Sequence, residues 1–132
     1  MLSEQIYTGQ GKRTARRVLD TQPFTVEVSF EDKGKLLGLD GANIGTYTSS
    51  PRPDGTLMGE ARGIFASADG EVITWKGIGT GKLQPGGAVS YRGALTFVAT
   101  SQKLSRLNNI AGAFEFDVDE AGNTNCQIWE WK

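Results

Sequence analysis

The chain has 132 residues, with 14 Lys plus Arg against 15 Asp plus Glu, no histidine, one cysteine and 18 glycines. This length fits one domain, residues 1–132, which buries enough surface to fold without disulfides or a metal ion. The formal charge of −1 gives no general attraction for nucleic acid, and the absence of His excludes the usual zinc sites and His-based hydrolase mechanisms. We expect no cofactor and no metal.

Alternating apolar and polar residues predict an all-β chain. The alternation is strictest over residues 24–31, as a strand with one solvated face requires. Turns rich in Pro, Gly, Asp and Asn separate most of the other candidate strands. In chain order the eight predicted strands are 4–19, 24–31, 42–49, 56–66, 71–84, 88–100, 111–118 and 124–132.

Residues 101–109 differ from the rest because Ser101 can cap a helix, Leu104 and Leu107 are three apart, and Asn residues follow. We expect one or two helical turns there. About eight strands joined mainly by hairpins predict an antiparallel meander that closes into a barrel, which removes exposed sheet edges.

The glycines share a face with the apolar residues of their strands, while charged residues take the opposite, solvated face. Gly63 is in register with Phe65, and Gly77 with Trp75. Two readings stay open: the glycines let the strands bend at barrel corners, or they leave volume for a ligand.

The same register predicts a mostly aromatic inner face with a few polar groups, which is typical of small-molecule sites. An inward Arg13 would need an anionic partner such as a ligand carboxylate, unless a bulge or the barrel rim keeps it in water. The predicted ligand-binding residues are Arg13, Asn43, Tyr47, Trp75, Tyr91 and Trp129. No catalytic residue is assigned. The outward charges, among them Glu60, Arg62, Arg92 and Asp117, are interpreted as ion-pair ladders.

The segment Gly77-Ile78-Gly79-Thr80-Gly81-Lys82-Leu83, after a hairpin and a Trp-bearing strand, does not match a phosphate-binding loop, and no helix follows it. Its glycine placement resembles a small, largely uncharacterised bacterial family with an allene oxide cyclase-like, or calycin-like, β-barrel. The resemblance covers about half the chain. It implies an antiparallel barrel that often self-associates and has a central cavity, but no cyclase residue can be placed on this sequence.

Three functions remain open. The first is a barrel that binds a small apolar or amphipathic molecule bearing a carboxylate, and the second is a cyclase- or isomerase-type enzyme in which the barrel constrains the substrate. The third is a filled barrel that acts as a homo-oligomeric interaction module. No segment has the length of a membrane span or the pattern of a signal peptide, and the lone Cys126 fits a reducing compartment, so we expect a cytoplasmic protein.

Overall fold

The computed structural model describes all 132 residues and confirms the predicted all-β class. Eight antiparallel strands, each paired with its neighbour in chain order, form a closed barrel. They are β1 Leu2–Thr21, β2 Phe24–Leu36, β3 Leu39–Pro51, β4 Leu57–Ser67, β5 Val72–Leu83, β6 Val89–Ala99, β7 Ala111–Val118 and β8 Asn123–Trp131. The observed β2 and β3 are longer than predicted.

The two ends of the barrel differ. The connections after β1, β3, β5 and β7 are short and lie at one end, here called the hairpin end. At the other end, here called the helix end, the β6–β7 connection forms a 3-10 helix, Gln102–Asn109. The predicted Ser101 cap is confirmed, since its hydroxyl accepts a hydrogen bond from the Leu104 backbone N–H. Leu104 and Leu107 are buried and close this end.

A second, shorter 3-10 helix, Pro85–Gly87, connects β5 and β6, and neither helix has the length and apolar character that crossing a membrane as a helix would require.

Aromatic rings occupy much of the space that the inner glycines leave free. A Cβ added at Gly63 would lie 2.2 Å from Cζ2 of Trp75, and one added at Gly45 would lie 2.5 Å from Cζ of Phe30. Gly81 accommodates the ring of Tyr91 in the same way. These glycines therefore let large side chains pack across the lumen, which makes the barrel more filled than hollow.

A two-stranded ribbon extends β1 and β2 beyond the hairpin end. The pairing of β1 with β8 stops at Lys12, whereas its pairing with β2 continues to Thr21. A register shift lies between Arg13 and Ala15, so Ala15 pairs with the outward Ser29. Arg13 itself pairs with the buried Phe30 and keeps the inward register.

The predicted inward position of Trp129 is wrong. In β8 the buried, inward residues are Thr124, Cys126 and Ile128, while Trp129 is half-buried on the outer face and Trp131 is 61% exposed. Both faces of this strand carry apolar residues, so alternation alone could not choose between them. Tyr7, Phe114 and Phe116 already line the lumen beside β8, which leaves room for Cys and Ile but not for two indoles.

The predicted ion-pair ladder forms only in part. Arg92 contacts Asp117 at 3.0 Å and Glu115 at 3.6 Å across β6 and β7. Arg62 lies opposite Lys76 instead of an acid.

Candidate functional site

The lumen contains a narrow cavity of about 60 Å³. Four of the predicted ligand-binding residues, Asn43, Tyr47, Trp75 and Tyr91, line it. The remaining wall is almost entirely apolar and includes Phe30, Phe65, Leu95, Phe97 and Phe116. Small-molecule sites are usually about 300–1,000 Å³. The cavity as it stands therefore accommodates only a compact molecule, and a larger one requires aromatic side chains to move.

A chain of hydrogen bonds crosses the inner part of the cavity wall. The Trp75 indole N–H donates to Asn43 Oδ1 at 2.8 Å, and Asn43 Nδ2 donates to Asp32 Oδ2 at 3.5 Å. The Tyr7 hydroxyl donates to the other carboxylate oxygen of Asp32. Tyr7 and Asn43 stand at the cavity surface, whereas Asp32 does not line it and lies behind them.

Asp32 is 3% exposed and has no cationic partner. Burial raises the pKa of its carboxyl above the ordinary value, and the hydrogen bonds from Tyr7 and Asn43 only partly offset this. Burial and the neighbouring carboxylate also raise the pKa of Tyr7, so the phenol stays protonated and remains a donor. Burial raises the pKa of the Cys126 thiol, which excludes it as a ready nucleophile.

Sequence reasoning missed Asp32, although a signal was present. The alternation through Val26, Val28 and Phe30 places every second residue of β2 inward, and Asp32 is the next in that series. The predicted strand ended at residue 31, one residue short of Asp32. Extending the alternation by one step would have identified a buried carboxylate.

At the hairpin end, two tyrosines form the outer part of the cavity. The ring centroids of Tyr47 and Tyr91 are 5.3 Å apart with a T-shaped geometry. The Tyr91 hydroxyl donates to Ser49 Oγ at 2.8 Å. Tyr47 is 8% exposed, yet its hydroxyl has no hydrogen-bond partner within the chain. This hydroxyl is not among the fully buried polar atoms that lack a partner, so it retains contact with solvent and is free to donate to water or to a ligand.

Arg13 lies at the rim of the same end. Its backbone N–H donates to the Gly122 carbonyl, and its guanidinium packs over Gly122 in the β7–β8 turn. The side chain is partly buried and makes no ion pair. Burial is the largest cause that raises the pKa of Tyr47, and the neighbouring Tyr91 raises it further. The positive charges of Arg13 and Arg16 lower this pKa and so oppose the rise. Both cations therefore act on the Tyr47 hydroxyl.

The structure thus brings together five of the six predicted residues and separates Trp129 from them. Asn43, Tyr47, Trp75 and Tyr91 line the cavity, and Arg13 is at its rim.

No three His, Cys, Asp or Glu side chains converge as metal ligands. Thr124 Oγ1 is the one buried side-chain polar atom without a hydrogen-bond partner.

Comparison with known proteins supports the barrel fold and assigns no function to this chain. No family model matches the chain, and no curated protein matches it by sequence. A protein with unknown function from Clostridium acetobutylicum ATCC 824 has a TM-score of 0.83 at 15% identity over 96% of each chain. A beta-barrel like protein from Acinetobacter baumannii AYE has a TM-score of 0.82 at 13% identity, covering 98% of this chain and 94% of that one.

An enzyme from Penicillium herquei is similar as well, with a TM-score of 0.71 and 19% identity over 96% of this chain and 92% of that one. At these identities the likeness establishes a shared barrel and no common chemistry. The bacterial neighbours are β-barrel proteins of unknown function. The finer resemblance to an allene oxide cyclase-like family stays a hypothesis.

Proposed function

We propose that this protein binds a compact, largely apolar carboxylate, with its hydrocarbon part in the lumen and its carboxylate at the hairpin end. The observation that carries the proposal is an apolar cavity whose outer end has the Tyr47 hydroxyl, without a partner in the chain, and whose rim has the unpaired cation Arg13. An uncharged donor and a guanidinium together suit a carboxylate, since charge-assisted hydrogen bonds are about twice as strong as neutral ones.

The cavity size sets the ligand class. A volume of about 60 Å³ corresponds to space for a few water molecules. An apolar wall holds ordered water poorly. Transfer of a short hydrocarbon group from bulk water into this cavity is therefore favourable. Short carboxylates are therefore favoured over long ones, unless the Tyr91 ring moves aside.

Calorimetric titration with butanoate, hexanoate and octanoate, each against the matching alcohol, tests the proposal. We expect hexanoate to bind more tightly than 1-hexanol. Arg13→Ala should weaken hexanoate binding about tenfold, or about 1.4 kcal/mol, and should leave 1-hexanol binding unchanged. Tyr47→Phe should weaken hexanoate binding by about the same factor and 1-hexanol binding less, because hydrogen bonds to a charged acceptor are stronger. Lys12→Ala is the control for Arg13, because Lys12 is the neighbouring, exposed cation on β1.

A second pair of variants tests the location. Ala61 lines the cavity, so Ala61→Leu should fill it and abolish binding, with Ala61→Val as the smaller change if the leucine variant folds poorly. Ala94→Leu adds the same volume to an exposed residue of β6 and should bind as the unmodified protein does. If no acid of the series binds, or if Arg13→Ala and Tyr47→Phe bind hexanoate normally, the proposal is wrong.

An isomerase-type activity is a second candidate, because a buried carboxylate lies directly behind a tyrosine that lines the cavity. Tyr7 lines the lumen, and its hydroxyl donates a hydrogen bond to Asp32. Such a pair could relay a proton to or from a bound substrate. The test is deuterium incorporation at C2 of 3-hexenoate in D₂O, followed by NMR. Exchange that needs the protein and is lost in both Tyr7→Phe and Asp32→Asn would support it, and no exchange above buffer would contradict it.

A further inference from the structure

The ribbon formed by β1 and β2 places a second arginine on the side of the cavity mouth. The register of the two strands shifts at Thr14, which has no partner on β2. Arg13 pairs with Phe30 and Arg16 pairs with Val28, and both of these β2 residues are buried and inward. Side chains directly opposite each other on neighbouring strands lie on the same face. The extra residue of this β-bulge therefore brings Arg16 to the face that carries Arg13.

Arg16 lies in the same inner row as Tyr47. Val28 pairs with Arg16 on one side and with Tyr47 on the other, so a single strand separates them. At ordinary strand spacings their Cα atoms are about 10 Å apart, a distance that an arginine and a tyrosine side chain together span. The charge of Arg16 acts on the Tyr47 hydroxyl, as that of Arg13 does. This effect agrees with the register and indicates that both guanidinium groups face the mouth.

Neither arginine is neutralised within the chain. No ion pair forms at Arg13 or Arg16. The two acidic residues of the ribbon, Asp20 and Glu27, have the opposite, outward register. Glu27 is already paired with Arg17 at 3.3 Å. The inward face of the ribbon therefore holds two unpaired cations and no acid.

The space beside these cations is open to solvent. The pairing of β1 with β8 ends before Arg13, whose backbone N–H donates to the Gly122 carbonyl at 2.8 Å. Farther along the ribbon, Arg16 is exposed and has no strand on this edge. The carboxylate of Glu120, in the same turn as Gly122, lies against Gly86 and makes no ion pair. A charged group of a ligand can therefore reach both guanidinium groups.

We propose that the ligand is a dicarboxylate, with its first carboxylate at Arg13 and Tyr47 and its second at Arg16. This inference rests on the proposed function and names its ligand class as a short hydrocarbon with two carboxylates at one end. A single carboxylate would leave one of the two cations without an anion. Successive inward positions on a strand are about 7 Å apart, so each guanidinium can bind a carboxylate of its own in the bidentate geometry that arginine favours.

Calorimetric titration at pH 8 with butylmalonate and hexanoate tests the inference. The two probes have the same hydrocarbon part and differ by one carboxylate at C2, and both are fully ionised at this pH. We expect butylmalonate to bind the unmodified protein about tenfold more tightly, because hydrogen bonds to charged groups contribute about 1.5–3 kcal/mol. Pentyl phosphate, which has both charges on one group, should bind more weakly than butylmalonate.

Variants of adjacent arginines test the role of Arg16. Arg16→Ala should weaken butylmalonate binding about tenfold and hexanoate binding less than threefold, so that the preference disappears. Arg16→Lys keeps the charge and should retain most of the preference. Arg17→Ala is the matched control, because Arg17 is the next residue and has the outward register, and it should leave both affinities unchanged. Circular dichroism establishes that the variants are folded.

The outcomes separate this inference from the proposed function. Equal binding of butylmalonate and hexanoate, with Arg13→Ala still weakening hexanoate binding, overturns the dicarboxylate and leaves the proposed function standing. Equal losses in Arg16→Ala and Arg17→Ala overturn the role of Arg16. Tighter binding of pentyl phosphate than of butylmalonate overturns the dicarboxylate in favour of a phosphate monoester. If no probe binds, both the proposed function and this inference are wrong.

Discussion

The indole N–H of Trp75 donates a hydrogen bond of 2.8 Å to Asn43 Oδ1 and so joins residues 32 positions apart across the lumen. Asn43 is buried and, through its amide nitrogen, also donates to Asp32. One amide therefore serves a buried carboxylate on β2 and a partly buried indole on β5. Truncating it removes a hydrogen bond from each of these two groups.

Asn43→Ala should lower the free energy of unfolding by about 2–4 kcal/mol, since an unsatisfied buried polar group costs about 1–3 kcal/mol and two groups lose a partner. Urea unfolding measures the loss. Asn125→Ala provides the control, because Asn125 is an exposed asparagine in β8 and its truncation should stay within about 0.5 kcal/mol. Equal effects of the two variants would contradict the role given to Asn43.

Asp32→Asn should change how stability depends on pH. The folded state raises the pKa of Asp32 above its ordinary value of 3.8. The folded protein therefore binds this proton more tightly than the unfolded chain, and stability falls as pH rises from 3.8 through the raised pKa. The slope should approach −1.4 kcal/mol per pH unit within that window. Asp32→Asn should lack this decline, whatever its absolute stability.

Urea unfolding between pH 4.5 and 8 measures that slope. Asp54, Asp69 and Asp119 have lowered pKa values and contribute stability that is lost as pH falls below 3.8, which is outside this range. Glu31→Gln is the control, because Glu31 is the exposed neighbour of Asp32 on β2 and should keep the decline. A parallel decline in Asp32→Asn would show that another group causes it.

Gly63→Ala should destabilise the barrel by about 1–3 kcal/mol, the usual cost of overpacking. The added Cβ would lie 2.2 Å from Trp75 Cζ2 and 2.7 Å from the Ile44 carbonyl oxygen, so the indole must shift from Asn43. Gly59→Ala on the same strand is the comparison, because a Cβ added at Gly59 would lie 3.3 Å from its nearest neighbour, a ring carbon of Tyr91. In thermal unfolding, Gly63→Ala should have a clearly lower Tm than Gly59→Ala, and the reverse order would contradict the packing described.

Leu107→Ala should cost about 2–5 kcal/mol, as is usual for truncating a buried leucine. Leu107 belongs to the 3-10 helix at the helix end, and its side chain is fully buried in the core. Leu83 is 62% exposed at the end of β5, and Leu83→Ala should change stability by less than about 0.5 kcal/mol. Chemical denaturation of both variants makes the comparison. A loss below about 1 kcal/mol for Leu107→Ala would mean that the helix does not seal the core.

The inward positions of Tyr47, Trp75 and Tyr91 could be predicted because their strands alternate cleanly, with glycines on one face and charges on the other. Trp129 could not be placed in the same way, since β8 has apolar residues on both faces. Its direction was decided by the volume that Tyr7, Phe114 and Phe116 already occupy. Asp32 continues the alternation of β2, but it lies one residue beyond the predicted end of that strand at residue 31.

The sequence by itself determined the number of strands, the closed meander and the short helix with its Ser101 cap. These follow from local periodicity, turn chemistry and capping, which act over a few neighbouring residues. Only the tertiary structure decided how full the barrel is, that Arg13 is at a rim, and that Asp32, Asn43 and Trp75 form one network. Those features depend on the summed volumes and cross-strand register of residues far apart in the chain, which no local pattern carries.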